Sequence, residues 1–151
     1  MKLTPHFTAE ELTTTSNKEW KEKNKELITT GIDYLYHLAG FSERVRTIID
    51  SPMIITSGYR CKELNDAIRG SRNSQHVICE AIDFIPVKKS VLDAYIALMF
   101  SDLKYHQLIL EIKRNSSWVH IGIGGKKENL VFKDNKYHLV HSLRELENLL
   151  K

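Results

Sequence analysis

Apolar residues recur at helical spacing in the first third of the chain, and short β-branched runs separated by polar turns replace them afterwards. The helical pattern predicts several N-terminal helices. We predict one opened by the Thr8-Ala9-Glu10-Glu11 capping box and ending in Thr13-Thr14-Thr15, one capped by Ser16 and ending at Gly40, and one from about Ser42 to Ile49. Pro52 and its neighbours mark the break before the first strand.

The rest of the chain alternates between predicted strands and predicted helices. Strands are predicted at 53–56, 81–85, 107–112, 118–123, 130–133 and 137–140, and helices at 62–68, at 91–100 and after Ser142. In the second strand, Ile82 and Phe84 face one side while Ala81 and Asp83 face the other, because side chains alternate along a strand. The sum is an α+β fold in which N-terminal helices precede a small, mostly antiparallel sheet.

Length and composition fit one globular domain over residues 1–151, with 42% hydrophobic and 27% charged residues. The net charge of +3 comes from basic residues spread along the chain, so nucleic-acid binding is not expected. Two cysteines, Cys61 and Cys79, are too few for a disulfide framework. The sequence shows no apolar run long enough for a membrane span and no signal-peptide core, so we expect synthesis in the cytoplasm. A monomer is expected, although the sequence leaves the oligomeric state open.

The strongest chemical signal is a set of three residues. His76 and Asp83 lie seven residues apart at the start of a predicted strand, and His120 lies in a later strand. Two imidazoles and one carboxylate, with a coordination position left open, form a common ligand set for catalytic zinc. Each residue alone has a plainer interpretation, because strand histidines commonly pack and aspartates commonly form turns or salt bridges. A carboxylate between apolar strand neighbours is costly unless it is paired or metal-bound, so the combination predicts a zinc site.

Glu111 is the candidate general base. If the hairpin turn spans residues 114–117, Lys113 pairs with Trp118 and Glu111 lies directly across from His120. Cross-strand partners share a face, so Glu111 would lie beside the metal ligands, where a base for the attacking water belongs. A one-residue slip would turn it to the other face and make it an exposed strand glutamate.

The turn Ser57-Gly58-Tyr59-Arg60 directs Tyr59 and Arg60 out of the end of a buried strand. The guanidinium of Arg60 is always charged, so it suits a substrate carboxylate or the oxyanion of the transition state; the alternative is a structural salt bridge. Ser74 precedes His76 by two residues and can hydrogen-bond the substrate or steady the loop. We therefore expect substrate contacts from Arg60, Ser74 and Tyr59, with Arg60 also serving catalysis.

A series of ordered motifs carries a family resemblance along most of the chain. They are Phe7-Thr8-Ala9-Glu10-Glu11-Leu12, Ser57-Gly58-Tyr59-Arg60, Leu64-Asn65 with Gly70-Ser71, Ser74-Gln75-His76, Ala81-Ile82-Asp83, Gln107-Leu108-Ile109 and Trp118-Val119-His120. In this order they resemble the zinc D-alanyl-D-alanine carboxypeptidase family of metallopeptidases, and most closely its small single-domain members in phages and bacteria. Ala81-Ile82-Asp83 matches the end of that family's S-x-H-x-x-G-x-A-x-D motif.

The resemblance implies a Hedgehog/DD-peptidase fold with zinc held by His76, Asp83 and His120. It also implies cleavage of a peptide bond in peptidoglycan stem or cross-link peptides, next to a D-amino acid. Arg60 would correspond to the family arginine that steadies the substrate or the intermediate. Proteins of this subgroup are often phage lysis or virion-associated enzymes, which predicts action on the bacterial cell wall.

A few positions depart from the family's pattern. Cys79 replaces the motif's glycine, where a tight backbone path between two ligands is expected, and its thiol adds bulk and could approach the metal. Ser117 stands three residues before the last histidine, where several members carry the catalytic carboxylate, which leaves Glu111 as the replacement. His106 stands where relatives often have aspartate. These departures motivate an alternative, a catalytically inactive domain that serves as a structural or wall-binding part of a virion.

Overall fold

The computed structural model describes residues 1–151. The first part of the chain is helical, and the strands follow with further helices between and after them. The elements are α1 (Ala9–Leu12), a 3-10 turn (Lys18–Trp20), α2 (Lys21–Lys25), α3 (Leu27–Thr30), α4 (Ile32–Ile49), β1 (Met53–Ser57), α5 (Lys62–Ala67), β2 (Ala81–Pro86), α6 (Val91–Met99), β3 (Gln107–Lys113), β4 (Ser116–Gly122), β5 (Glu128–Lys133), β6 (Lys136–Leu139) and α7 (Leu143–Leu149). None of the helices combines the length and apolar composition that a bilayer crossing requires.

The strands form one six-stranded sheet in the order β1-β2-β4-β3-β5-β6. Neighbouring strands are antiparallel except for β3 and β5, which run parallel. One face of the sheet packs against the helices, so that Ile82, Phe84 and Val119 share a buried cluster with Leu38 of α4 and Tyr95 of α6. The predicted α+β fold, with N-terminal helices and a mostly antiparallel sheet, is confirmed. The other face of the sheet is left free for chemistry.

The N-terminal helices depart from the predicted ones at two glycines. The chain breaks at Gly31, and α4 then runs through Gly40 to its end at Ile49. The predicted helix end at Gly40 is therefore wrong. An interior glycine costs a helix only about 1 kcal/mol relative to alanine, and burial of Leu38 and Phe41 on either side offsets that cost.

The predicted cap at Ser16 is also wrong. Asn17 takes that role, because its side-chain oxygen accepts a hydrogen bond from the backbone N–H of Glu19 at 3.2 Å. The segment that follows forms a 3-10 turn and two short helices instead of one continuous helix.

Buried Asn24 in α2 joins these short helices to the turn after β1. Its Nδ2 donates to the carbonyl oxygens of Thr13 at 2.7 Å and Tyr59 at 2.9 Å, and its Oδ1 accepts from the N–H of Cys61 at 2.7 Å. The N–H of Tyr59 donates in turn to the carbonyl oxygen of Leu12 at 2.7 Å. The turn after β1 is thereby held against the end of α1.

Gly58 lies where this turn comes closest to α1, and Gly40 provides a matched comparison. A β-carbon at Gly58 would lie 2.3 Å from the carbonyl oxygen of Leu12, whereas one at Gly40 would meet nothing within 4 Å. We predict that Gly58→Ala lowers the free energy of unfolding by about 1–3 kcal/mol through overpacking. Gly40→Ala should raise it by about 0.5–1 kcal/mol, because alanine favours the helix. Urea unfolding followed by circular dichroism measures both, and equal effects would contradict the packing argument.

Candidate metal centre

His76, Asp83 and His120 each bring one ligand atom to a common point on the free face of the sheet. His76 lies in the loop before β2, whereas Asp83 and His120 are paired directly across β2 and β4. Asp83 Oδ1 lies 3.2 Å from His76 Nε2 and 2.9 Å from His120 Nδ1, and the two ring nitrogens are 3.2 Å apart. No other group of histidine, cysteine or carboxylate ligand atoms in the chain converges in this way. The structure thus brings the three predicted metal ligands together.

The backbone determines which nitrogen of His76 faces the common point. His76 Nδ1 lies 2.7 Å from the carbonyl oxygen of Gly58. That oxygen can only accept a hydrogen bond, so Nδ1 carries a proton. Nε2 is then the nitrogen that faces Asp83 and His120, where it can donate to Asp83 or, once deprotonated, bind a metal. Two imidazoles and a carboxylate in this arrangement suit a divalent transition metal such as zinc.

Asp83 is ionised at neutral pH. Burial opposes its ionisation, but the charge of His76 and the hydrogen bonds from His120 and His76 outweigh burial, and they hold the pKa of this carboxyl well below its usual range. A carboxylate that is already deprotonated binds a cation without first releasing a proton.

Cys79 adopts the backbone conformation that the family's glycine would allow. Its φ is +60°, in the left-handed region that glycine reaches without strain. The expected tight backbone path is therefore confirmed. The expectation that the thiol approaches the metal is wrong, because this conformation directs the side chain into the hydrophobic core. Burial raises the pKa of the thiol to about 12, so it stays protonated.

The hairpin of β3 and β4 is shifted by two residues from the predicted register. Its turn contains only residues 114 and 115, so Glu111 pairs with Trp118 and Ile109 pairs with His120. The predicted pairing of Glu111 with His120 is wrong. A shift of two residues nevertheless keeps every side chain on its original face. Glu111 therefore still faces the metal ligands, one residue pair further along the strand.

Glu111 is a partly buried carboxylate among charged groups of both signs. Burial is the main cause of its raised pKa, and the charge of Asp83 adds to the effect, while His120, Lys113 and Arg60 oppose it. A raised pKa is common for a glutamate that serves as a general base or acid. The position and the electrostatics of Glu111 both agree with the predicted role.

Arg60 faces the same cleft, and its guanidinium forms no salt bridge. Its Nη1 donates to Asn65 Oδ1 at 2.9 Å, and Asn65 Nδ2 donates in turn to the carbonyl oxygen of Ser71 at 3.0 Å. Burial lowers the pKa of Arg60, and the charges of Asp83 and Glu111 oppose that shift. The alternative of a structural salt bridge for Arg60 is wrong, so the charge is free to meet a substrate.

A cleft of about 560 Å³ lies over the metal ligands, and Arg60, Ser74 and Glu111 line it. Ser74 Oγ accepts a hydrogen bond from the N–H of His76 at 3.3 Å, so Ser74 steadies the ligand loop. Tyr59 is not part of the cleft lining, and it packs against the hydrophobic core. The substrate contact predicted for Tyr59 has no counterpart in this geometry.

The sequence did not identify the residues that brace the site, which are Asn24, Asn65 and Gln75. Gln75 Nε2 donates to the carbonyl oxygen of Ile123 at 2.7 Å and so ties the ligand loop to the end of β4. Gly122 makes room for it, because a β-carbon there would lie 1.9 Å from Gln75 Oε1. Asn65 and Gln75 belong to the family motifs Leu64-Asn65 and Ser74-Gln75-His76, so the sequence did offer a signal for their importance. Asn24 has no comparable sequence signal.

The raised pKa of Glu111 predicts a pH dependence of folding stability for chelator-treated protein. A carboxyl whose pKa is higher in the folded state stabilises the fold below its unfolded pKa, about 4.3 for glutamate. That stability is lost as the pH rises through the folded pKa. Glu111→Gln should therefore be more stable than the unchanged protein at pH 7, and the difference should vanish near pH 4.

Glu128→Gln on β5 is the matched control, because its effect should have the opposite sign. A hydrogen bond from Gln107 is the main cause of the lowered pKa of Glu128. Its loss should destabilise the protein at pH 7 and matter less at low pH. Urea unfolding at both pH values measures the differences, and a Glu111→Gln protein less stable at pH 7 would contradict the analysis.

The comparisons with known proteins agree with this site. The protein-family model described as Peptidase M15 matches residues 5–122, a span that contains the three metal ligands, Arg60 and Glu111. No curated protein matches the chain. The family model covers well over half of the sequence, and its span ends with β4, immediately after the last metal ligand. The chain belongs to the Peptidase M15 family.

Proposed function

We propose that this protein is a zinc-dependent peptidase that cleaves peptidoglycan stem or cross-link peptides next to a D-amino acid. One observation carries the proposal: in a chain of this peptidase family, His76, Asp83 and His120 converge at the base of a cleft that also contains Glu111. A metal site bordered by a partly buried carboxylate is the arrangement used for metal-assisted hydrolysis.

The three ligands would hold the metal, and the protonation states of His76 and Asp83 suit that role. His76 is oriented by the Gly58 carbonyl oxygen, and Asp83 is ionised by its histidine neighbours. When bound, zinc would supply Lewis-acid chemistry that polarises the scissile carbonyl and acidifies a water molecule.

Glu111 transfers protons, and Arg60 binds the substrate or the transition state. Glu111 accepts a proton from the attacking water and returns it to the leaving amine, which its position beside the ligands and its raised pKa both support. Arg60, held by Asn65 and free of a salt bridge, meets the substrate carboxylate or the oxyanion of the transition state. Ser74 keeps the loop of His76 in place.

The peptidoglycan substrate is supported by the motif resemblance and by the charge of the protein. A net charge of +3 favours approach to anionic cell-wall polymers. We further propose that the protein acts on the bacterial cell wall as a phage lysis or virion protein, reaching it after synthesis in the cytoplasm.

Zinc content tests the metal site directly. We predict about one zinc per chain after incubation with zinc, lost in His76→Ala because the loop ligand is removed. His37→Ala is the control, since His37 is exposed on α4, far from the ligand group in sequence and absent from it. Elemental analysis of the dialysed proteins gives the stoichiometry. Unchanged zinc content in His76→Ala would contradict the assignment.

Glu111→Gln tests the catalytic role. We predict that it lowers kcat on muropeptides by about 10²–10⁴-fold, the range for loss of a general base, while the zinc content stays at the level of the unchanged protein. Ser117→Ala is the control, because Ser117 pairs with Ile112 and does not line the cleft. Chromatography of the digested muropeptides measures both. Full activity in Glu111→Gln would show that Glu111 is not the general base. Muropeptide binding without cleavage by the unchanged protein would favour the inactive wall-binding alternative.

A further inference from the structure

Beyond Glu111, the free face of the sheet carries aromatic side chains. Glu111 on β3 pairs with Trp118 on β4 and with Phe132 on β5, and Phe132 pairs with Tyr137 on β6. Directly paired residues share a face, so these side chains form one row across four strands. The rings of Phe132 and Tyr137 are in contact, with centroids 4.8 Å apart. Trp118 and Tyr137 line the same cleft as the metal ligands.

Lys113 lies above this aromatic row. It follows Glu111 by two residues on β3 and therefore points to the same face. Its Nζ lies 5.6 Å from the ring centroid of Trp118 and 5.9 Å from that of Phe132. Contacts of this kind hold a cation over a ring face by cation–π attraction. The two rings thus favour this position of the ammonium group before any ligand arrives.

The ammonium group of Lys113 forms no salt bridge within the protein, and its charge acts on Glu111 only through space. It takes part in none of the salt bridges, and its residue is exposed at the lip of the cleft. Lysine side chains commonly cover apolar surface with their stems and leave the charge in water. Here the ammonium group itself lies near two ring faces, and Lys113 lines the cleft that a substrate would enter.

The distance between Lys113 and the metal ligands suits a peptide. Ile109, four residues before Lys113 on β3, pairs with His120, so the two positions lie about 13 Å apart along the strand. An extended peptide covers this distance in about four residues. Arg60 faces the cleft from the turn after β1, across the sheet from Lys113. The cleft therefore offers one cation beside the metal ligands and a second one further along β3.

We propose that Lys113, placed over Trp118 and Phe132, is a specificity-determining residue that binds an internal carboxylate of the substrate peptide, two to four residues from the scissile bond. This rests on the proposed function, because the substrate is taken to be a peptidoglycan stem peptide. The free α-carboxylate of a γ-linked D-glutamate has the required chemistry and spacing. Amidation of that carboxylate removes the charge and almost no bulk, so it isolates the contact.

The test compares the pentapeptide L-Ala-γ-D-Glu-L-Lys-D-Ala-D-Ala with the same peptide amidated at the D-glutamate α-carboxyl. Both keep the C-terminal carboxylate for Arg60. Isothermal titration of the zinc-loaded Glu111→Gln protein measures binding without turnover. We expect the free carboxylate to bind about two- to fivefold more tightly, the range for an exposed ion pair. The preference should shrink at 0.5 M salt because screening weakens exposed pairs.

Two further variants in the same background make the test specific. Lys113→Met keeps a flexible apolar stem over the rings and removes the charge, so it should bind both peptides equally. Lys113→Arg should keep the preference. Lys136→Met is the matched control and should also keep it, because Lys136 is an exposed lysine beside the turn of the neighbouring hairpin and does not line the cleft.

The outcomes separate this inference from the proposed function. Equal or undetectable binding of the two peptides by the Lys113-containing protein would overturn the carboxylate subsite. A preference that survives in Lys113→Met would overturn it as well. Cleavage of both peptides with the same KM by the unchanged protein would contradict the carboxylate subsite but support the peptidase activity. A Lys113-dependent preference for the peptide with the free carboxylate, without any cleavage, would support the subsite and contradict the peptidase activity.

Discussion

The hydrogen bond between His76 Nδ1 and the carbonyl oxygen of Gly58 connects the metal centre to the rest of the fold. That carbonyl can stay in place only because the turn around it is held against Leu12 at the end of α1. Asn24 holds the next residues of the same turn through two hydrogen bonds, to Tyr59 and Cys61, and a third ties it to Thr13. The N-terminal helices therefore do more than cover the sheet, since they determine which imidazole nitrogen is offered to a metal. This dependence gives a physical reason for the family match to begin near the N-terminus, at residue 5.

Along the strands of the sheet, side chains that pack in the core alternate with side chains that face the cleft. On β2, Ile82 and Phe84 are fully buried against the helices, while Asp83 between them faces the cleft. His120 on β4 follows the same rule between Val119 and Ile121. The apolar neighbours anchor each strand, so the ligands are placed by residues that never contact them. Rigid placement of this kind is what a metal site requires of its surroundings.

The same alternation explains which predictions succeeded. The hairpin register was wrong by two residues, yet Glu111 stayed on the ligand face because the period of a strand is two. The α+β architecture and the convergence of the ligands follow from periodic patterns and ordered motifs, which are visible in a sequence. The course of the helices around Gly31 and Gly40 was not predictable in this way, because burial of Leu38 and Phe41 outweighs the local preference of glycine. The support of His76 depends on the carbonyl oxygen of Gly58, 18 residues away, and no local pattern encodes such a contact. Arg60 is supported by Asn65 only five residues further on, within the reach of a sequence motif.

The two carboxylates of the cleft, Asp83 and Glu111, would respond together to a bound metal ion. Asp83 and Glu111 are two partly buried carboxylates close enough to interact electrostatically. The charge of Asp83 helps to raise the pKa of Glu111. A divalent ion held by His76, Asp83 and His120 would outweigh the charge of Asp83 and reverse the sign of its effect at Glu111. Metal binding would then lower the pKa of Glu111 and so favour its ionised form, the form that a general base needs. The geometry therefore couples occupation of the metal site to the protonation state of the base, through the electric field of the bound ion.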